Sequence, residues 1–353
     1  MEAYINGIGI TSPQKTVEQD GFLSNVVEYS SDYMKCVEPA FKNYLSPGFS
    51  RRMSRILKLS LVAAKICLNE VKIEKPDAII TATGLGCLDD TEKVLNSILE
   101  NNESFLSPTS FIHSTHNTIS SQIAIYLKCH SYNLTFSHRT FSFESAILNC
   151  MIFLTENSNV NVLIGGVDEI TPTLFDIGCK SIYKKIPKSN LDMLKEKTRG
   201  AYAGEGMAFF ILSSKKKNNC YAKISSVETI YNPDDVYSVE LKIKNTIDRT
   251  GLTIGNIDAV MLGLNGDSES DCYYQAIMNS LFKDKILLYY KHLCGEYFTS
   301  TSFALWCCAN IIKQQFVPPI LKMNNNQDKP INNILIYNQF KNKNHSLILL
   351  QKC

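Results

Sequence analysis

The stretch Ala78-Ile79-Ile80-Thr81-Ala82-Thr83 is a short apolar strand, and Gly84-Leu85-Gly86 turns the chain at its end. A helix is expected next over residues 90–99, then a loop over 101–108 and a helix over 116–127. Residues 132–137 return to strand and 143–154 to helix. Residues 160–164 then form a buried strand ending in Gly165-Gly166. Upstream, residues 3–10 are β-rich and break at Thr11-Ser12-Pro13. Residues 55–71 carry Ile56, Leu59, Leu61, Val62, Ile66 and Leu68 at helical spacing. Residues 208–212 supply a further strand. Apolar strands alternating with amphipathic helices predict a layered α/β fold with helices on both sheet faces.

The second half echoes the first in shorter form. Strands are expected over 221–230, 257–264, 334–337 and 347–350, and helices over 236–250, 272–282 and 303–315. Lys215-Lys216-Lys217-Asn218-Asn219 reads as the seam, dividing the chain into halves 1–214 and 215–353.

Composition excludes a disordered or fibrous chain, because 44% of the 353 residues are hydrophobic and 20% charged. Lys plus Arg is 36 against 34 acidic residues, a net +2 that gives no overall pull toward nucleic acid or an anionic membrane. No membrane span is expected, since the longest apolar run, 303–312, is interrupted by Asn310. The early Glu2 and the lack of a basic n-region argue against a signal peptide, so a cytoplasmic location is expected. The twelve cysteines show no CxxC pair and read as free, mostly buried thiols. His113, His116, His130 and His138 lack acidic partners at metal spacing, so no metal is expected. No cofactor motif is read.

Several segments resemble one family. Arg199-Gly200-Ala201-Tyr202-Ala203-Gly204-Glu205-Gly206-Met207-Ala208 is similar to the "R-x-G-x-x-x-G-E-G-A" segment of β-ketoacyl synthases. Ser107-Pro108-Thr109-Ser110-Phe111 with Asn117 resembles their interface segment. Arg51-Arg52-Met53-Ser54-Arg55, Gly165-Gly166, and Lys291 with Gly295 also match in order. The resemblance covers essentially the whole chain. It implies the thiolase-like fold, five layers α-β-α-β-α built from two pseudo-duplicated halves.

Ketosynthases use a cysteine thiolate to accept the acyl chain and two neutral imidazoles to assist loss of CO₂ from the extender. The resemblance puts the cysteine position at Thr140, or one residue earlier at Arg139. The first histidine of "H-G-T-x-T" falls on Gly263 and the second, of "K-x-x-x-G-H", on Glu296. The supporting lysine is retained as Lys291, and a partly buried carboxylate at Glu296 is expected to be paired with Arg139 or Lys291 or with the backbone of residues 137–142. Of the glycine-rich "G-F-G-G" gate only Phe340 remains, in Gln339-Phe340-Lys341-Asn342, and such a loop is not expected to adopt positive φ easily.

These losses resemble chain-length-factor subunits, which pair with an active ketosynthase to build an acyl tunnel. The segment His138-Arg139-Thr140-Phe141-Ser142-Phe143-Glu144 looks most like partner subunits of aryl-polyene, flexirubin-type and dialkylresorcinol pathways. The resemblance implies an active ketosynthase as partner and an acyl carrier protein reached through the complex. Phe111, Ile112, Thr118, Ile119 and Phe136 are the implied interface or tunnel residues. Arg51, Arg52, Arg55 and Lys58 form either a carrier-protein patch or a solvated face. Two other readings remain at this point. One is a homodimeric acyltransferase or decarboxylase using Thr140, Ser142 or Glu296; the other is a non-catalytic acyl-binding scaffold. Cys129 and Cys150 are read as packing residues rather than surrogate nucleophiles.

Overall fold

Neighbouring residues of one strand face different cores, which is why these strands are apolar on both faces. The computed structural model describes all residues except 1, 18–20, 52, 105, 197 and 325–328, so Arg52 lies outside the described residues. The first half runs β1 (Ala3–Thr11), α1 (Arg55–Glu70), β2 (Ala78–Ala82), α2 (Leu88–Glu100), α3 (Pro108–His113), α4 (Thr118–Leu127), β3 (Tyr132–Phe136), α5 (Ser142–Glu156), β4 (Asn161–Asp168) and β5 (Gly206–Ser213). The second runs β6 (Ala222–Tyr231), α6 (Val236–Asp248), β7 (Ala259–Leu262), α7 (Cys272–Leu281), β8 (Ile286–Tyr289), α8 (Thr301–Gln314), β9 (Asn333–Phe340) and β10 (Asn344–Gln351).

The two halves repeat one topology. Strand order is β1-β5-β4-β2-β3 in the first and β6-β10-β9-β7-β8 in the second. In each, the first three strands pair antiparallel and the last three parallel. Hydrogen bonds between Ala3–Ile5 and 222–224 join the halves at one corner, so these ten strands form one continuous sheet, while Tyr183–Lys184 and Ala201–Tyr202 pair in a separate two-stranded one.

Three apolar clusters define the layers. Ile79, Leu163, Phe209 and Ile211 pack outward under α1 and α4. Val260, Leu262, Leu335 and Leu349 pack outward under α6 and α7. The intervening residues Ile80, Ile164, Phe210, Met261, Ile336 and Ile348 face inward and bury α5 and α8 between the two halves of the sheet. The result is the five-layered α-β-α-β-α arrangement that the family resemblance implies.

Some expectations are corrected. The strand at 160–164 does not stop at Gly165-Gly166; it runs on to Asp168, because both glycines pair in the ladder with β2 and β5. The helix expected over 116–127 starts at Thr118, and residues 108–113 form a separate turn of helix opened by Pro108. Strand β8 had no strong sequence signal and lies at the sheet edge. The thiols are not all free: Cys220, just before β6, is joined to Cys353 beyond β10. The cysteines at 67, 129, 150, 307 and 308 are buried and free, as packing residues should be.

Candidate functional site

The turn from β3 into α5 carries the strain expected of a nucleophile elbow. Arg139 has φ +48°, a left-handed value that costs a non-glycine residue about 1–3 kcal/mol. Ser142 shapes this turn. Its Oγ accepts from the His138 N–H (2.8 Å) and lies within donor range of the carbonyls of Arg139 (2.7 Å) and Thr83 (2.9 Å). Arg139 at the tip is exposed and makes no ion pair among the described residues. Thr140 turns inward, and its Oγ1 accepts from Asn344 Nδ2 at the start of β10. One turn on, buried Glu144 accepts from Ser346 Oγ (2.9 Å), also on β10. The start of α5 therefore sits against the second half of the fold.

The segments at the other two catalytic positions also meet the first half. Gly295 has φ +78°, and a Cβ there would lie 2.5 Å from the Gly204 backbone. That close approach lets Ala203 and Glu296 form a backbone bridge, so the "G-E-G" segment and the Lys291–Gly295 turn are held together. Glu205 of that segment is fully buried. It accepts from the N–H groups of Cys36 (2.7 Å) and Ile170 (3.1 Å) and pairs with Arg55 Nη1 (2.7 Å). Arg55 also binds Glu38, so it is a structural cation and is not free for a carrier-protein patch.

Glu296 is 4% exposed, and its Oε2 meets Lys291 Nζ at 2.7 Å and Asn265 Nδ2 at 2.7 Å. Its cation is thus Lys291 rather than Arg139. Lys291 is itself out of contact with solvent, and its charge also favours the ionised carboxyls of Glu144 and Asp271. Burial pushes the Glu144 carboxyl up, against its hydrogen bonds and the Lys291 ammonium. Burial likewise raises Asp271 to about 6 although it accepts from the N–H groups of Asn265 and Gly266. Among the described residues Lys291 is thus ion-paired with Glu296 alone, while its charge offsets part of the cost of burying Glu144 and Asp271.

Gly263 ends the strand β7 region in a space with no room for a side chain. A Cβ there would lie 2.1 Å from Asn338 Oδ1 and 2.7 Å from the Tyr274 hydroxyl. Two other buried histidines do not substitute. His292 stacks on Tyr289 at 3.9 Å with Nε2 3.0 Å from the Ile320 carbonyl, and burial lowers its pKa to about 3. His345 points to the outer core, its Nδ1 2.9 Å from the Tyr337 hydroxyl. The gate remnant Phe340 packs on Phe298 (5.9 Å between rings). Contrary to expectation, Lys341 and Asn342 both adopt φ +53° in a tight β9–β10 turn. Gln339 makes this possible by accepting from the Asn342 N–H (2.8 Å) while donating to the Ser270 carbonyl (2.8 Å).

The implied interface residues divide. Phe111 and Ile112 are 64% and 60% exposed, whereas Thr118 and Ile119 are buried under their own chain and Phe136 half-buried against the central core. Leu95, Leu99, Ile125 and Tyr132 are also exposed, and among the described residues β3 pairs only with β2, at the edge of the sheet. A cavity of about 320 Å³ is lined by Val94, Ile98, Leu106, Pro108 and Phe111. His113 is half-buried and His116, His130 and His138 exposed, and no three potential metal ligands converge among the described residues. No helix among the described residues is long and apolar enough to cross a membrane. Asn265, Asp271 and Asn344 were not singled out from sequence, because nothing in their local pattern marks them as partners of Glu296, Lys291 or Thr140.

Residues 35–195 match the family model described as beta-ketoacyl synthase, N-terminal domain. No curated protein matches the chain. Among solved structures, the ishigamide ketosynthase/chain length factor is 14% identical, with TM-score 0.79 over 100% of this chain and 99% of that one. A β-ketoacyl synthase from Burkholderia phymatum STM815 is 12% identical, with TM-score 0.79 over 100% and 99%. The ketosynthase ApeO in complex with its chain length factor ApeC from Xenorhabdus doucetiae gives 15% identity and TM-score 0.77 over 99% and 98%. At these identities the likeness is one of fold.

Proposed function

We propose that this β-ketoacyl synthase-like chain is a catalytically degenerate subunit of the chain-length-factor type, which pairs with an active ketosynthase and completes its acyl tunnel. The observation that carries the reading is the Glu296–Lys291–Asn265 cluster. Decarboxylation of a malonyl thioester builds negative charge on the thioester oxygen, and a donor must face it. A buried carboxylate tied to the Lys291 ammonium opposes that charge and occupies the cation.

The nucleophile is missing on physical grounds as well. The Thr140 hydroxyl meets Asn344 Nδ2, an amide donor that takes no proton, and Ser142 is committed to the elbow turn. Among the described residues neither hydroxyl is hydrogen-bonded to a histidine, carboxylate or lysine side chain that could act as its base. The two halves, 1–214 and 215–353, would serve as a folded scaffold whose exposed face at Phe111 and Ile112 and β3 edge strand meet the partner. The growing chain of a polyketide or polyene would pass along that shared boundary, with its carrier protein served by the complex.

Co-expression with a ketosynthase that retains Cys-His-His tests this. The expected result is a 1:1 complex by light scattering, with condensing activity that the chain lacks alone. Acyl-enzyme formation or turnover by the isolated wild-type chain would overturn the reading.

A further inference from the structure

The chain leaves β5 through Lys215-Lys216-Lys217-Asn218-Asn219, and every side chain of this turn is exposed. Ser213 pairs with Asn161 at the start of β4, so the turn lies at the end of the parallel strands opposite to that from which Thr140 follows β3. Buried Asn6 fixes it, donating to the Lys215 carbonyl (3.0 Å) and accepting from the Lys217 N–H (3.0 Å). The Cys220–Cys353 link ties the same turn to Lys352.

Other lysines converge here. A groove of about 470 Å³ is lined by Asn6, Lys72, Lys217 and Asn219 among others. Lys313, at the end of α8, donates to the Asn219 carbonyl (3.2 Å), and its Nζ lies 3.6 Å from the centre of the Tyr221 ring. Three residues on, Phe316 is 51% exposed. Gln315 beside it binds both backbone groups of Ile331, and Asn332 accepts from the Lys352 N–H (2.7 Å), so Phe316 and Lys352 share the corner. The nearby carboxylates are engaged. Glu70 accepts from the Ile8 N–H (2.7 Å) and the Tyr221 hydroxyl, Glu2 pairs with Lys223 (2.7 Å), and Asp77 accepts from the Asn161 N–H (2.7 Å). Glu74 and Lys75 are adjacent exposed charges of opposite sign. Lys72, Lys215, Lys216, Lys217 and Lys352 are exposed and make no ion pair among the described residues.

We propose that this corner docks on an anionic lipid surface, with the lysines against the headgroups and Phe316 as the apolar anchor. Each lysine held near an anionic leaflet strengthens attachment by about fivefold, and an exposed ring beside them enters the boundary below the headgroups. A nucleic-acid groove would instead use arginine forks and successive stacking rings, whereas the cations here are lysines beside one phenylalanine. The near-balanced net charge is no obstacle, because attraction to a surface depends on the local patch within a Debye length. Docked this way, the degenerate site at the other strand ends faces away from the lipid. The proposal is independent of the subunit reading above.

Co-sedimentation of the chain with vesicles tests this, using pure phosphatidylcholine and equal parts of phosphatidylcholine and phosphatidylglycerol. The chain is expected to sediment with the anionic vesicles only. K215Q/K216Q/K217Q should weaken that binding by at least about tenfold, and high salt should remove the difference from wild type. F316S should weaken it by at least about fivefold. These side chains are exposed, so unchanged melting temperatures would show that only attachment is affected. K72Q/K352Q, on separate elements, should also weaken binding several-fold, and it decides the matter should the triple variant melt lower. Wild-type binding that is absent, or equal on the two vesicles, overturns the proposal. So does anionic-vesicle binding within twofold of wild type in both lysine variants. Unchanged vesicle binding by F316S, with a single-stranded oligonucleotide displacing the chain from the vesicles, would mark a general polyanion surface and overturn the lipid assignment.

Discussion

Lys291 Nζ lies 2.7 Å from Glu296 Oε2, five residues along the chain, and both side chains are buried. A buried pair of this kind is held less by its own attraction than by the cost of leaving either member alone. K291M is therefore expected to destabilise the fold by about 3–5 kcal/mol, since it strands a buried carboxylate. E296Q keeps the hydrogen-bonding shape and should cost less, and K291M/E296L should recover much of the loss. Urea denaturation of the three variants checks the order. Equal losses in K291M and the double variant would show that packing, not charge, dominates.

Restoring the catalytic residues one at a time should fail for different reasons. T140C places a thiol at the elbow but leaves no imidazole to face the extender, so no condensation is expected. G263H drives a Cβ into Asn338 Oδ1 and the Tyr274 hydroxyl, and overpacking there should cost about 1–3 kcal/mol or more. Thermal melting of G263H and a malonyl-thioester decarboxylation assay of T140C measure the two effects. A stable G263H protein with an unchanged melting temperature would show that the pocket has slack.

The layers were legible because their cause is local. Residues such as Ile79 and Ile80 are both apolar, and a strand apolar on both faces must lie between two packed layers. The motifs assign Thr140, Gly263 and Glu296 to the catalytic positions, and a buried carboxylate at Glu296 was expected to need a cation. Which cation it takes was not legible, since Lys291 and Arg139 differ only in how the chain folds around them. The same limit applies to Ile119, whose helical periodicity marks it as apolar but not whether its own chain or another covers it. The left-handed Lys341 and Asn342 show a third limit: a turn residue's conformation is decided by partners such as Gln339, which composition does not reveal.

The exposed face at α3 should be needed for pairing and not for folding. Phe111 and Ile112 touch solvent over most of their surface, so F111E/I112E is expected to change stability by only about 0.5 kcal/mol. The same change buries two charges in any partner contact and should abolish co-purification with the ketosynthase. I119E, buried in its own chain, should instead prevent folding. Co-purification of F111E/I112E at wild-type yield would move the interface elsewhere.

Glu169 offers a pH signature that is separable from the Glu296–Lys291 pair. It follows β4, accepts from the Asp89 N–H (3.1 Å), and sits among the carboxylates of Asp89, Asp90 and Glu205. Burial first, and those like charges second, push its pKa up to about 8 against the lowering effect of the Asp89 N–H. Between its ordinary value near 4.5 and about 8 the folded chain keeps a proton that the unfolded chain has lost, so stability falls as pH rises through that window. His292 acts in the opposite sense, because its folded pKa of about 3 gives stability that is lost as pH falls below about 6.5. Asp271, at about 6, is largely ionised above that pH. Glu169 contributes to the window from about pH 6.5 to 8 a slope of at most about 1.4 kcal/mol per pH unit, and the buried carboxyls of Glu144 and Asp168, also raised by burial, act in the same sense, so the E169Q difference isolates its share. Calorimetry should show the wild-type melting temperature falling across this window and E169Q falling less, with E169Q at least as stable as wild type at pH 8. An E169Q variant with the wild-type slope would place the titrating group elsewhere.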